Sequence, residues 1–137
     1  CLNEGICLYD CKDGYYGDKC LNECMPNCYI CTKAEGKCEL CKEGYGYTTS
    51  KDCTKCTKGY YGPGGTYSCS ICDIDTYSSK DGQSKCTQCD SSCRDITETK
   101  CNFETGKCIQ CEQGYINAGL TCKACEIRIW QCRVLSQ

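Results

Sequence analysis

Histidine is absent from this 137-residue sequence, and large aliphatic residues are scarce. Ile, Leu, Val and Phe together number 17, about 12 % of the chain, a share too low to bury a normal apolar core. Without histidine, the chain lacks the usual general base and the usual activator of a nucleophile. The acidic pair Asp73 and Asp75 has no apolar surroundings to raise a carboxyl pKa, so we expect solvated turn residues there. The sequence therefore predicts a protein that is not an enzyme and needs no cofactor.

Neither a run of like charge nor a long apolar run occurs. The 16 basic and 18 acidic residues are interspersed and give a net charge of −2, which does not provide the basic surface that nucleic acids require. No stretch has the length of a membrane span or the pattern of a signal sequence. Because the chain opens on Cys1 within a cysteine pattern, we expect part of a longer secreted or ectodomain protein, with neither a nucleic-acid partner nor a span in this region.

Cysteine, in contrast, is abundant: 22 residues, about 16 % of the chain. An even count at this density indicates an oxidising, extracellular location and predicts 11 intrachain disulfides. Zinc is the alternative, because Cys38/Cys41 and Cys53/Cys56 have the spacing of a four-cysteine zinc ribbon. The cysteine pairs nevertheless run on and share members between neighbours, whereas zinc sites form isolated sets of four, so no metal is expected.

The cysteines form an internal repeat. Residues 36–45, GKCELCKEGY, recur as residues 106–115, GKCIQCEQGY, so one module is used twice. Seven C-x2-C pairs mark the chain: Cys28/Cys31, Cys38/Cys41, Cys53/Cys56, Cys69/Cys72, Cys86/Cys89, Cys108/Cys111 and Cys122/Cys125. With so small an apolar content, we expect a row of small modules held by disulfides.

Glycine and tyrosine follow the opening cysteine of several loops, as in CKDGYYGDKC at residues 11–20. Glycine suits the tight turn, the tyrosine ring covers the bridge, and two short strands meet across the loop. This pattern predicts local bridges that close each loop: Cys11–Cys20, Cys41–Cys53, Cys56–Cys69 and Cys111–Cys122. The rival is an interlaced order, for example Cys38–Cys53 with Cys41–Cys56.

The loop CKDGYYGDKC resembles the closing loop of epidermal-growth-factor-like (EGF-like) modules, especially those of multiple-EGF and scavenger-receptor class F ectodomains. Residues 53–89 are similar to ephrin-receptor-like cysteine-rich repeats, and the many C-x2-C pairs resemble protist surface antigens such as Giardia variant-specific surface proteins. The resemblance implies a small disulfide-rich fold of tandem EGF-like or growth-factor-receptor-like modules, built from short two-stranded β ribbons, elongated, with little or no helix. The chain departs from EGF modules between Cys7 and Cys11, where three residues replace the usual C-x-C step.

Five regions follow from this organisation. We expect a partial EGF-like module at 1–24, a cysteine-rich EGF-like module at 25–56, ephrin-receptor-like repeats at 53–89, a second cysteine-rich EGF-like module at 90–125, and a tail or the start of a further module at 126–137.

Aromatic residues supply the candidate contact surface. We expect Tyr15 and Tyr60 to pack on bridges, whereas their neighbours are open to either packing or contact, and the tail EIRIWQ concentrates apolar residues outside the cysteine frame. The candidate contact residues are Tyr16, Tyr61, Ile127, Ile129 and Trp130.

Two functions are consistent with these features. The first is a non-enzymatic extracellular segment that acts as a spacer and an adhesion or interaction surface, with a protein or glycan partner at a cell surface or in the matrix, or with a second copy of itself. The alternative is a secreted effector, such as a protease inhibitor or toxin, that uses an exposed loop around Arg94.

Overall fold

A computed structural model describes residues 9–47, 52–95, 99–126 and 132. The described residues form twelve strands of two to four residues each. In chain order these are β1 (Tyr15–Tyr16), β2 (Asn22–Glu23), β3 (Cys28–Cys31), β4 (Cys38–Cys41), β5 (Tyr45–Tyr47), β6 (Cys53–Lys55), β7 (Tyr60–Tyr61), β8 (Ser70–Ile71), β9 (Thr76–Tyr77), β10 (Thr87–Gln88), β11 (Tyr115–Asn117) and β12 (Cys122–Ala124). Residues 9–47, 52–95 and 99–126 contain no helix. Across the described part of the chain, no helix has the length and hydropathy needed to span a bilayer.

Each strand pairs with its neighbour in the chain, so the sheets are six two-stranded ribbons: β1–β2, β3–β4, β5–β6, β7–β8, β9–β10 and β11–β12. The strands are antiparallel in the five ribbons whose register is defined. Cysteine or glycine interrupts the sequence every few residues, which keeps the strands short and prevents a helical apolar period. The ribbon fold expected from the sequence is therefore confirmed.

Ten disulfides join all twenty cysteines that the structure describes. Cys1 and Cys7, which would complete the expected eleven, lie outside the described residues. Local bridges close single loops in six cases: Cys11–Cys20, Cys41–Cys53, Cys56–Cys69, Cys72–Cys86, Cys111–Cys122 and Cys125–Cys132. They include the four pairs that the Gly-Tyr loops predict. The rival order around Cys38 does not occur, because Cys38 bonds Cys28 and Cys56 bonds Cys69.

The other four bridges are interlaced, and the Gly-Tyr pattern does not predict them. They are Cys24–Cys31 with Cys28–Cys38, and Cys89–Cys101 with Cys93–Cys108. Each interlaced set is followed by a local bridge and a further cysteine, which defines a first repeat (residues 24–56) and a second repeat (residues 89–125). The first bridge of each set crosses an expected module boundary, at 24/25 and at 89/90.

The chain divides into two units. Unit 1 comprises Cys1–Thr57, Tyr61–Ser70 and Asp81–Lys85, and its core consists of five buried half-cystines: Cys28, Cys31, Cys38, Cys41 and Cys53. Unit 2 comprises Lys58–Tyr60, Ile71–Lys80 and Cys86–Gln137, and its core again consists of half-cystines: Cys93, Cys101, Cys108 and Cys122. In both units, disulfides occupy the place that aliphatic side chains take in ordinary domains.

A tyrosine from the preceding ribbon packs on a glycine turn in each repeat. Gly36 has φ +68°, and a Cβ there would lie 2.6 Å from the Tyr16 ring. Gly106 has φ +75°, and a Cβ would lie 2.5 Å from the Tyr77 ring. Both turns therefore require glycine twice over, for the left-handed backbone and for the space that the ring fills.

Candidate interaction surface

The tyrosine pairs differ in how far they are available to a partner. Tyr16 is half-buried, with its ring over Gly36 and against the half-cystine core of unit 1. Tyr15 and Tyr61 are also half-buried, whereas Tyr60 is exposed at 37 %. Tyr60 is thus the more exposed residue of its pair, and the packing of its ring on a bridge stays a prediction. The tail candidates Ile127, Ile129 and Trp130 lie outside the described residues.

Large apolar side chains stand exposed at many other positions. Their accessible fractions are highest at Tyr9 (85 %), Ile74 (77 %), Leu21 (76 %) and Tyr67 (63 %). Single exposed apolar residues are normal on protein surfaces. The informative positions are those where exposed aromatic and charged side chains line the same cavity.

Such a cavity lies on unit 1, with a volume of about 580 Å³. It is lined by Tyr29, Lys42, Glu43, Tyr45, Pro63, Gly64 and Gly65. The hydrogen bond between the Tyr29 hydroxyl and the Asp13 carboxylate raises the pKa of Tyr29, and the negative charge of Asp13 adds to the effect. The negative charge of Asp13 thus disfavours the phenolate, and the neutral Tyr29 hydroxyl is the donor of this hydrogen bond.

We expect Asp13→Asn to lower the pKa of Tyr29 towards its usual value. The substitution removes the charge that disfavours the phenolate and weakens the acceptor of the hydrogen bond. Because the folded pKa is raised, the pair stabilises the fold below the pKa of unfolded tyrosine, and this contribution is lost as the pH rises through the folded pKa. An absorbance titration of the phenolate in both proteins measures the effect, with Asp10→Asn as the control; identical titration curves for Asp13→Asn and the unmodified chain would contradict the assignment.

The corresponding place on the second repeat carries different chemistry. Its cavity, of about 290 Å³, is lined by Arg94, Ile109, Gln110, Cys111, Glu112, Gln113, Gly114, Tyr115, Asn117 and Cys132. Arg94 Nε lies 3.7 Å from Glu112 Oε1, and the Arg94 amide donates to the Gln110 carbonyl at 2.9 Å. Arg94, the centre of the alternative inhibitor-loop hypothesis, thus makes two contacts within the second repeat.

Three cysteine sulfur atoms lie as close to one another as the ligands of a metal site. The sulfurs of Cys38, Cys41 and Cys53 all lie within 4.8 Å of one another. All three are half-cystines, however, bonded as Cys28–Cys38 and Cys41–Cys53. Zinc binds thiolates, which a disulfide does not offer, so these sulfurs pack two bridges together in the oxidised chain.

The acidic pair at 73 and 75 has structural roles. The Asp75 carboxylate accepts a hydrogen bond of 2.7 Å from the Lys100 amide, and the Asp73 carbonyl accepts one of 3.0 Å from the Thr76 amide. These contacts fix the turn before β9. The sequence identified the turn but gave no sign that Asp75 would contact a residue 25 positions further along the chain.

Three comparisons with known proteins bear on the chain. It is 31 % identical over 144 residues to furin-like protease 2 of Drosophila melanogaster, which covers 94 % of this chain and 8 % of that protein. It is 30 % identical over 132 residues to human laminin subunit gamma-1, across 85 % of this chain and 7 % of that protein. It is 35 % identical over 57 residues to human R-spondin-3, across 42 % of this chain and 17 % of that protein.

The chain thus spans less than a tenth of the furin-like protease and of the laminin subunit, so the activities of those whole proteins do not transfer to it. No family model matches the chain. No solved structure matches it either.

The bridges and the relatives agree on one description. The chain consists of disulfide-rich ribbons, and its relatives are extracellular proteins. Disulfides at this density persist where the environment is oxidising. We conclude that the chain is an extracellular cysteine-rich protein made of EGF-like repeats.

Proposed function

We propose that the chain is a non-enzymatic spacer that carries protein-interaction surfaces in an extracellular protein. The observation that supports this most directly is where the large side chains lie. Half-cystines fill both cores, while aromatic and aliphatic residues such as Tyr67 and Ile74 remain exposed. Short rings closed by disulfides make a scaffold that holds its shape without an apolar core, and the exposed side chains are then available for contact.

The cavities on the first and second repeats are open and are lined by both polar and apolar groups. This suits contact with a protein better than the binding of a small substrate, which usually takes an enclosed and mostly apolar pocket. Exposed tyrosine provides contact area at a low cost in side-chain entropy. The partner we propose is a protein or glycan at a cell surface or in the matrix, or a second copy of the chain. Multiple-EGF, scavenger-receptor class F, ephrin-receptor-like and protist surface-antigen repeats are the finer relationships we propose for its modules.

Association through Tyr61 and the tail tests this function. We expect Tyr61→Ala and Trp130→Ala to weaken association of the full oxidised chain with a second copy by about tenfold each, the loss typical of a truncated interface aromatic. Sedimentation of the purified chain over a range of concentrations measures this. Leu21→Ala, which also removes an exposed apolar side chain (76 %), is the matched control and should have no effect.

Intact mass after refolding separates the two roles of these residues. Oxidation should remain complete in both variants, because neither residue belongs to a bridge. Variants that fail to oxidise, while any folded fraction associates normally, would show that Tyr61 and Trp130 are packing groups and would overturn the proposed contact surface.

A further inference from the structure

A loop of unit 1 covers one face of the first repeat. This covering loop, residues 62–67, pairs its backbone with the repeat: the Cys41 amide donates to the Thr66 carbonyl at 3.1 Å, and the Gly65 amide donates to the Cys41 carbonyl at 3.0 Å. A third bond runs from the Gly44 amide to the Gly62 carbonyl at 2.8 Å. Beneath the loop, Cys41 is completely buried (0 % exposed), and Gly44 is buried as well.

The second repeat builds the same face, with each position shifted by 70 in the sequence. The Tyr115 amide donates to the Glu112 carbonyl at 3.0 Å, as the amide of Tyr45 does to Lys42 at 3.1 Å.

One side-chain hydrogen bond also recurs at the same position of both repeats. The Asn117 Nδ2 donates to the Cys108 carbonyl at 2.7 Å, and the Tyr47 hydroxyl donates to the equivalent carbonyl of Cys38. Two structurally equivalent faces therefore exist, one in each repeat.

On the second repeat, none of residues 52–95 and 99–126 forms such a covering loop over this face, and Cys132 lines its cavity. Among the residues that the structure describes, no backbone carbonyl accepts the amides of Cys111 or Gly114, although the equivalent amides in the first repeat both have acceptors. Cys111 and Gly114 are partly exposed, and Tyr115 is exposed at 44 %. A Cβ at Gly114 would meet nothing within 4 Å. Amides at a partly buried site favour a hydrogen-bonded partner over incomplete hydration.

The covering loop shows what kind of segment fits such a face. Its glycines approach the repeat closely: a Cβ at Gly62 would lie 2.8 Å from the Tyr45 carbonyl oxygen, and a Cβ at Gly64 would lie 2.8 Å from Glu43 Cγ. At Gly65, which also has a positive φ, the space is open. The face therefore selects glycine at two defined positions of the loop that covers it.

The residues that follow the second repeat lack the glycines of the covering loop. Residues 126–137 contain no glycine, and Cys125 and Cys132 are separated by 7 positions, against 13 for Cys56 and Cys69, which enclose the covering loop.

The charges at the cavity also limit which segment can bind there. Arg94 and Glu112 offset each other at the edge of the cavity, which suits a loop without charge, like residues 62–67.

We propose that the open face of the second repeat, formed by Cys111, Gly114 and Tyr115, binds an uncharged glycine-containing loop from a partner protein. The loop pairs its carbonyls with the Cys111 and Gly114 amides, as the covering loop pairs with the first repeat, and one glycine lies against Gln113. The recognition is made by the main chain, as when a peptide pairs with a free backbone edge. The inference rests on the proposed role as an interaction segment and names one site and its type of partner.

A synthetic peptide with the sequence of residues 56–69, closed by its single disulfide, tests the site on the full oxidised chain labelled with ¹⁵N. We expect the amide signals of Cys111 and Gly114 to shift and to saturate at about 1 mM peptide or below, an affinity in the weak range for a single loop. Tyr115→Ala should weaken binding about tenfold. Ile74→Ala, which removes another exposed apolar side chain of unit 2 (77 %), should leave it unchanged.

Two peptide variants distinguish specific binding at this face from nonspecific binding. Gly64→Ala and Gly65→Ala carry the same cost of a left-handed backbone. Only Gly64→Ala also adds a Cβ that has no space, so it should weaken binding about tenfold more than Gly65→Ala does. Equal effects of the two substitutions, or no shift at Cys111 and Gly114 at about 5 mM peptide, would overturn the inference. Failure here with intact association through Tyr61 and Trp130 would leave the proposed function standing, and the converse result would leave the open face standing.

Discussion

Replacing both cysteines of the Cys41–Cys53 bridge with alanine is expected to lower the free energy of unfolding by about 4–5 kcal/mol, near the upper end for a native disulfide in a small secreted domain. Loop closure accounts for about 3 kcal/mol of this in the chain-entropy model. The rest comes from the cavity left in the core of unit 1, because Cys41 and Cys53 are 0 % and 7 % exposed. Equilibrium denaturation of the oxidised variant measures the loss.

The Cys11–Cys20 bridge is the matched control. It closes a loop of similar length, with a sequence separation of 9 against 12, but both of its cysteines are only partly buried. Its removal should cost about 2–3 kcal/mol, close to the closure entropy alone. Equal losses in the two variants would show that the buried half-cystines contribute nothing beyond the cross-link, and would contradict the interpretation of these clusters as the core.

Four of the six local bridges could be predicted from the sequence, because each of the four closes a loop whose turn is visible in its glycine and tyrosine. The interlaced sets could not. Four cysteines allow three connectivities, and the ribbon register does not simply select one of them. Cys31 lies directly opposite Cys38 across β3–β4, yet Cys31 bonds Cys24. The choice depends on how the segment before β3 folds back onto that strand, which the spacing of the cysteines does not show.

The contact residues were harder to predict, for a different physical reason. Adjacent residues of a strand point to opposite faces, so the two rings of a Tyr-Tyr pair lie on opposite sides of the ribbon. The sequence shows the pair but not the register that decides which ring is covered: Tyr60 is exposed at 37 %, whereas Tyr61 is half-buried. The open face depends on still less local information, since it becomes visible only when residues 62–67 are seen to cover the equivalent face of the other repeat.

Gly106→Ala is expected to destabilise unit 2 by about 3 kcal/mol. The left-handed backbone at φ +75° costs an alanine about 1–2 kcal/mol, and the Cβ would also displace the Tyr77 ring, which adds an overpacking cost of about 1–3 kcal/mol. Movement of that ring would also disturb the bond of 3.0 Å from the Ser78 amide to the Phe103 carbonyl. Denaturant unfolding gives the total, and hydrogen exchange at Ser78 reports the local change.

Gly114→Ala separates the two causes, because Gly114 has a positive φ of +90° but open space around its missing Cβ. It should lose only the backbone contribution of about 1–2 kcal/mol and leave exchange at Ser78 unchanged. In Gly106→Ala, a second substitution, Tyr77→Ala, should recover part of the steric loss, since the smaller side chain vacates the space that the Cβ needs, and the two changes should be clearly non-additive. Additive effects in this double-mutant cycle, or equal losses at Gly106 and Gly114, would show that the Tyr77 ring does not hold the turn and that backbone conformation alone requires glycine there.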